Sequence, residues 1–244
     1  MRTVCFIEAR MRSSRLPNKV MLPILGRPML ELMVERLRRA RTIDDVVIAT
    51  TVDASCDPII EMAGRIGVPT FRGSEDDVLL RVLEAAKANK ADVIVETTGD
   101  CPLHEPSLVD KVVADFHMGG SGFVSNIQPY STPIGTDVRV FTTAALDEVN
   151  RISQDAADHE HVSLYFMERP ERYRSRNVVT DFGVDVSRFR LTVDTAEDFE
   201  LVSRIYEELY PKNPTFTLHD VLTLLRSCPD LVAINAAVKQ KAVR

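Results

Sequence analysis

Four short runs of apolar, largely β-branched side chains in the first hundred residues are separated by three segments whose apolar residues recur every three or four positions. This alternation restricts the chain to βαβ units around a mainly parallel sheet, an α/β fold. Residues 4–9 form the first strand. Pro28 then opens a helix that carries Leu30, Met33, Val34, Leu37 and Ala40 on one face. Residues 46–50 and 68–72 are strands on either side of a helix that begins at Asp57-Pro58 and runs to about Ile66. Ser74-Glu75-Asp76-Asp77 supplies capping and acidic first-turn residues for a third helix bearing Val78, Leu79, Val82, Leu83 and Ala86. The strand 91–97 ends in Thr98-Gly99-Asp100-Cys101-Pro102-Leu103, a turn at the carboxyl end of a strand. Open α/β sheets bind their ligands on that edge.

From Gly119 the rhythm weakens. Gly119-Gly120-Ser121-Gly122 is a flexible joint, and 128–135 is a Pro-containing loop before a strand-like stretch at 137–141. Helices are expected at 144–152 and 159–167, strands at 173–179 and 188–193, and helices at 196–209, 218–226 and the terminus. The pattern reads as one domain, 1–244, with 119–180 as a β-rich insertion between a first part, 1–118, and a last part, 181–244. Strands at 137–141 and 173–179 leave open sheet edges. Either two insertions pair in a homodimer, or the helix 159–167 covers the edge.

With 30 Lys+Arg against 36 Asp+Glu the net charge is −6, which argues against a general nucleic-acid or anionic-membrane surface. The four cysteines lack CxxC spacing and make neither a disulfide framework nor a zinc site, so a reducing cytoplasm is the expected compartment. The first apolar run is too short for a signal peptide, and no later segment approaches membrane-spanning length.

Against this acidic background, Ala9-Arg10-Met11-Arg12-Ser13-Ser14-Arg15-Leu16-Pro17-Asn18-Lys19 places four cations directly after the first strand. An anion of high charge density, such as a triphosphate, needs cations and backbone donors gathered around one loop there. A solvated basic loop is the alternative. The GxxxxGK[ST] spacing of a P-loop is missing. Asp100 and Asp194 each end a strand-like run, so a parallel sheet can bring both to one edge, where they would share a Mg²⁺ that also meets phosphate oxygens. Alternatively, each caps the helix that follows. Cys101 has no basic partner nearby and reads as a packing residue. His159 and His161, two residues apart, point to different faces of a helix and suit a helix end or a sugar contact better than zinc.

The run Ala-Arg-x-x-Ser-Ser-Arg-Leu-Pro-x-Lys resembles the nucleotide-binding loop of bacterial CMP-sugar synthetases, among them the 3-deoxy-manno-octulosonate and acylneuraminate cytidylyltransferases. Leu25-Gly26-Arg27-Pro28-Met29 and Arg72-Gly73-Ser74-Glu75-Asp76-Asp77-Val78-Leu79 continue the likeness. It extends in particular to the branch of spore coat polysaccharide biosynthesis protein F through 98–103, Gly135-Thr136-Asp137-Val138, Glu160-His161-Val162 and 192–198. Related nucleotidyltransferases that act on sugar phosphates or molybdopterin open with Gly-Gly, where this chain has Ala9-Arg10.

The resemblance implies a nucleotide-diphospho-sugar transferase fold and Mg²⁺-dependent transfer of CMP from CTP to the hydroxyl of an acidic sugar of the 2-keto acid type. It implies nucleotide contacts from Ala9, Arg10, Ser14, Arg15, Lys19, Gly73 and Thr98, with Lys19, Asp100 and Asp194 catalytic. The metal would rest on the two aspartates, the acceptor on Asp137, His159 and His161, and two subunits would share the site. Glu8 stands where the pattern has Gln, Glu96 where it has Arg, and Leu191 where it has Trp, departures that leave room for a shifted substrate choice. Another nucleotide, a phosphorylated acceptor, or a non-catalytic nucleotide-binding role are the competing readings.

Overall fold

The computed structural model describes residues 1–240. In chain order, β1 (Thr3–Glu8) leads through a basic loop and a single 3₁₀ turn (Lys19–Met21) to a small hairpin of β2 (Pro23–Ile24) and β3 (Arg27–Pro28), then to α1 (Met29–Leu37). β4 (Asp45–Thr51), α2 (Asp57–Arg65), β5 (Thr70–Gly73), α3 (Val78–Ala88), β6 (Val93–Thr98) and α4 (Pro106–His117) complete the regular half. The remainder comprises β7 (Phe123–Ser125), β8 (Arg139–Thr142), α5 (Thr143–Ile152), α6 (Ala156–Glu160), α7 (Leu164–Glu168), β9 (Arg176–Asn177), α8 (Ala196–Leu209), α9 (Leu218–Ser227) and α10 (Pro229–Ala233).

One sheet runs β5-β4-β1-β6-β8-β7-β9, in which β5, β4, β1 and β6 are mutually parallel and β8 is antiparallel to both its neighbours. The two-residue period of β1 sets the layers. Cys5 and Ile7 join the core formed with α1, α2 and α4, while Val4 and Phe6 face α3, α5 and α7. A third apolar cluster packs α8 and α9 against Ile24, Met29 and Leu32. The mixed α/β fold and mainly parallel sheet agree with the sequence pattern. Segment 119–180 supplies β7, β8 and β9, which extend the same sheet.

Four features differ from expectation, each for a local reason. A helix over Pro106–His117 is missing from the pattern as read, although Glu105 caps it through the Ser107 N–H and Val109, Val112, Val113 and Phe116 bury one face. The helix expected at 159–167 is two, α6 and α7. Asp155 caps α6 early, and the intervening Val162 is fully buried while the Ser163 hydroxyl donates to Glu96 at 3.3 Å, so tertiary contacts break the helix. The strand expected at 173–179 contracts to β9, because its partner β7 is only three residues long and Arg174 takes a left-handed conformation. The stretch 188–193 forms no ladder, only a single bridge between Arg190 and Ile134. Its N–H groups reach two separate loops, Leu191 to the Ile134 carbonyl and Val193 to the Asp100 carbonyl, both at 2.7 Å. Gly135 permits this approach: its φ is +98°, and a Cβ there would lie 2.3 Å from the Thr192 nitrogen.

Candidate active site

The carboxyl ends of β1 and β6 meet where Gly99 passes over β1. The Gly99 N–H donates to the Glu8 carbonyl at 2.8 Å, and a Cβ at Gly99 would sit 3.0 Å from that oxygen and 3.2 Å from the Ala9 Cβ. The glycine lets the turn close, which aims Asp100 back across the end of the sheet. The Thr98 hydroxyl fixes its carboxylate, donating to Oδ1 at 2.6 Å. Asp194 arrives from the other direction. It is tied to Asp100 by the Val193–Asp100 backbone bond and to α8 by its own N–H, which donates to Asp198 at 3.0 Å.

Lys19 joins the two. Its ammonium donates to Asp100 Oδ2 at 3.0 Å, Asp194 Oδ1 at 2.9 Å and the Val193 carbonyl at 2.8 Å, so all three donors are used. Burial opposes the charge on Lys19, but Asp100 and Asp194 outweigh it and hold the amine above its ordinary pKa. Burial likewise pushes Asp100 up, yet Lys19 and the Thr98 hydroxyl leave its carboxyl below the ordinary value. The helix-cap alternative fails for both aspartates. Thr195 and Asp198 form the capping box of α8, and Glu105 caps α4.

Two adjoining cavities share Thr98, Asp100, Asp194, Glu8, Arg15 and His161 as walls. The first, about 540 Å³, lies over the basic loop and is lined by Ala9, Arg10, Arg12, Ser14, Lys19 and Arg81, among others. Here the loop cations bond acidic neighbours: Arg10 to Glu75 at 3.3 Å, Arg12 to Asp53 at 2.8 Å and Arg15 to Asp194 at 2.9 Å. The Arg10 and Arg12 pairs lie toward solvent, where an ion pair contributes little, whereas Arg15 is bonded to the buried Asp194. The second cavity, about 360 Å³, lies over β6 and β8 and is lined by Glu96, Asp137, Arg139, Tyr130, Leu164 and Met167 among others.

Of the residues singled out in the sequence, the structure brings together Ala9, Arg10, Ser14, Arg15, Lys19, Thr98, Asp100, Asp194, Asp137 and His161 on these two cavities. Gly73 and His159 do not line them. Gly73 sits behind Arg81, where a Cβ would come within 3.0 Å of the arginine Cγ, so it acts through the position of that side chain. The His159 ring instead bonds Asp77 at 2.8 Å and the Ser153 carbonyl at 3.3 Å, tying α6 to the start of α3. Because α6 starts early, His159 falls on its inward side. Burial pushes the Cys101 thiol far above its ordinary pKa, in keeping with a packing role. Arg81 and Arg139 are the functional candidates the sequence reading lacks. Arg81 falls among the apolar residues Leu79, Leu80, Val82 and Leu83 of α3, and Arg139 precedes Val140 and Phe141 in β8; a cation next to an apolar run is the available signal.

The cytidylyltransferase family profile matches residues 4–229. The chain is 33% identical over 230 residues to the spore coat polysaccharide biosynthesis protein SpsF of Bacillus subtilis, covering 92% of this chain and 94% of SpsF. It is 36% identical over 114 residues to the 3-deoxy-manno-octulosonate cytidylyltransferase of Geobacter sulfurreducens, covering 47% of this chain and 45% of that enzyme. Among solved structures, a cytidylyltransferase from Leptospira borgpetersenii superposes with a TM-score of 0.90 at 30% identity, covering 99% of this chain and 100% of that one.

Glu8 generates a pH prediction. Its Oε1 is shielded from solvent without a protein partner, and burial, then Glu96, raises its pKa well above 4.5; Arg81 and Arg139 oppose this and Asp100 adds to it. A carboxyl with a raised folded-state pKa binds more protons folded than unfolded, so stability falls as pH rises from the ordinary value through the raised one. Glu8→Gln removes that loss. Its melting temperature should gain on the native chain progressively above about pH 4.5, and an offset independent of pH would contradict the assignment.

Proposed function

The chain belongs to the cytidylyltransferase family, and we propose that it transfers CMP from CTP to the hydroxyl of an acidic sugar of the 2-keto acid type, releasing pyrophosphate. The observation that carries the reading is the position of Lys19, Asp100 and Asp194 at the boundary between a basic cavity and an acidic one. The basic cavity is sized for a nucleoside triphosphate, with Arg10 and Arg15 to bond the phosphates, Ser14 as a hydroxyl donor, and Lys19 adding positive charge from its place between the two aspartates, where Thr98 fixes Asp100. The acceptor then occupies the second cavity, beside Asp137 and His161. The named relatives act on 3-deoxy-manno-octulosonate or serve polysaccharide biosynthesis, which supports a sugar acid and a role in surface glycan assembly.

The donor set fits Mg²⁺. Two carboxylates already converge on one positive charge, the Lys19 ammonium, and among the described residues no third His, Cys, Asp or Glu gathers with them, which leaves coordination positions for phosphate oxygens and water. Asp100 and Asp194 would hold the ion, and when bound it offsets charge on the triphosphate and the departing pyrophosphate. The chain's own residues set the geometry. The basic loop orients the β- and γ-phosphates, the turn at Gly99 keeps Asp100 within reach of the α-phosphate, and the second cavity aims the acceptor hydroxyl at the α-phosphorus. The hydroxyl oxygen bonds to that phosphorus and gives up its proton to water, the bond to the β-phosphate oxygen breaks, and pyrophosphate carries the electron pair away.

A cytoplasmic site of action is part of the proposal, supported by four free thiols, and among the described residues no helix is long and apolar enough to cross a membrane. Segment 119–180 serves as the acceptor-side insertion. Its edge strand β9 also offers the surface for an isologous homodimer, which a light-scattering mass of a single 27.3 kDa chain would end.

Pyrophosphate release tests the activity. CTP with Mg²⁺ should raise the melting temperature more than UTP, GTP or ATP do. Asp100→Asn and Asp194→Asn should each lower turnover by about a hundredfold or more, roughly 2.7 kcal/mol of transition-state stabilisation, with folding retained. Near-normal turnover in both variants would remove the metal assignment.

A further inference from the structure

Asp194 holds more cations than its own charge balances. Its Oδ1 accepts from the Lys19 ammonium and from Arg15 Nη2, each at 2.9 Å, and its Oδ2 accepts from Arg190 Nη2 at 2.7 Å. Asp100 differs. Lys19 meets its Oδ2, while its Oδ1 takes the Thr98 hydroxyl and the Cys101 thiol. Across the cluster three carboxylates, Asp100, Asp194 and Asp198, face three cations, Lys19, Arg15 and Arg190, so it is neutral by itself. A divalent ion approaching it alone would meet two oxygens of Asp194 already taken and no net negative charge to attract it.

The three cations are not equally fixed. The Arg190 side chain is 8% exposed and also bonds Asp198 through two of its nitrogens, and Lys19 spends all three donors on Asp100, Asp194 and the Val193 carbonyl. Arg15 is 39% exposed, and Asp194 is its one ionic partner among the described residues. Its loop is tied at the base, where the Asn18 N–H donates to the Met11 carbonyl at 2.9 Å. Within 12–17 the one hydrogen bond among the described residues is long, from the Leu16 N–H to the Ser13 hydroxyl at 3.5 Å. The Arg15 side chain stands on the wall that the two cavities share, so it can turn from Asp194 into the basic cavity without disturbing the sheet.

We propose that Arg15 blocks Asp194 against a divalent ion and that the triphosphate releases the block. A triphosphate over the basic loop offers the Arg15 fork several anionic oxygens in bidentate geometry, against the single carboxylate oxygen that it shares with Lys19. When Arg15 turns to the phosphates, Asp194 Oδ1 loses one of its two cations and becomes open to Mg²⁺, while Arg190 keeps Oδ2 and holds the carboxylate in place. One side chain thereby couples nucleotide binding to metal binding. Arg15 serves twice, as a phosphate ligand when the nucleotide is bound and as a plug on the metal ligand when it is not. The inference rests on the cytidylyltransfer reading, and within it on Asp194 as a metal ligand.

Mn²⁺ titrated onto the full chain without nucleotide, followed by electron paramagnetic resonance, reads the block directly. At about 0.15 M salt, Arg15→Ala and Arg15→Gln should each bind Mn²⁺ about tenfold more tightly than the native chain, and adding Asp194→Asn should abolish the gain. Arg12→Ala removes the same charge from the same loop, but Arg12 pairs with Asp53, so its Mn²⁺ affinity should stay within about twofold of native. With saturating CTP the gap between native chain and Arg15 variants should close, because Arg15 has then left Asp194 in the native chain as well. Three results would each overturn the block while CTP-dependent pyrophosphate release stands: equal nucleotide-free affinities in native chain and Arg15 variants, a gain that survives Asp194→Asn or appears equally in Arg12→Ala, or a gap that CTP leaves unchanged. A native chain that neither takes up Mn²⁺ with CTP nor releases pyrophosphate would remove the functional reading and this inference together.

Discussion

The ammonium of Lys19 is the tie on which the site depends. It joins three segments that are far apart in the chain: its own loop after β1, the turn after β6 at Asp100, and the extended stretch before α8 at Asp194. A buried cation is tolerable only with close anionic partners, and two adjacent carboxylates need a cation between them. Each group makes the other two possible. The arrangement is reinforced behind Asp194, where Arg190 bonds both Asp194 and the fully buried Asp198, and Asp198 also receives the backbone N–H groups of Asp194 and Thr195. The start of α8 is thereby fixed to the sheet edge through charge-assisted bonds, although no β-ladder links them.

Electrostatic asymmetry follows from the same construction. On one side of Lys19 the loop presents Arg10 and Arg12 to solvent through exposed ion pairs; on the other, Glu96 and Asp137 line a cavity with Arg139, while Arg15 and Glu8 stand on the wall the two cavities share. A polyanion placed over the basic loop would meet its complement, with the paired aspartates at the edge of that cavity. A chain of net charge −6 can therefore hold a triphosphate without a basic surface overall.

Much of this was legible in the sequence because it depends on local chemistry. The parallel strands announce themselves by β-branched runs, α3 by its Ser-Glu-Asp-Asp start, and the basic loop by four cations after a strand. Asp100 was readable as the carboxylate at the end of β6 because ligand sites gather on that edge of an α/β sheet; Asp194 reaches it through a strand-like run that joins no ladder. What was not legible depends on tertiary contact. The break between α6 and α7 is imposed by the burial of Val162 and the Ser163–Glu96 bond, and it moves His159 away from the cavity. The stretch before Asp194 has strand-like residues but bonds to two loops, one of them positioned by the positive φ of Gly135. Arg81 and Arg139 carry no motif; a cation next to an apolar run is their sequence signal, and the folded chain places them on cavity walls.

The central claim is that the Asp100–Asp194 pair, held by Lys19, receives a divalent ion together with the triphosphate. Electron paramagnetic resonance of Mn²⁺ titrated onto the chain in the presence of CTP reads that event without turnover or an acceptor. The account predicts CTP-dependent loss of the free Mn²⁺ signal with the native chain and its persistence with folded Asp100→Asn and Asp194→Asn. Equal uptake of Mn²⁺ by the native chain and both variants would contradict it.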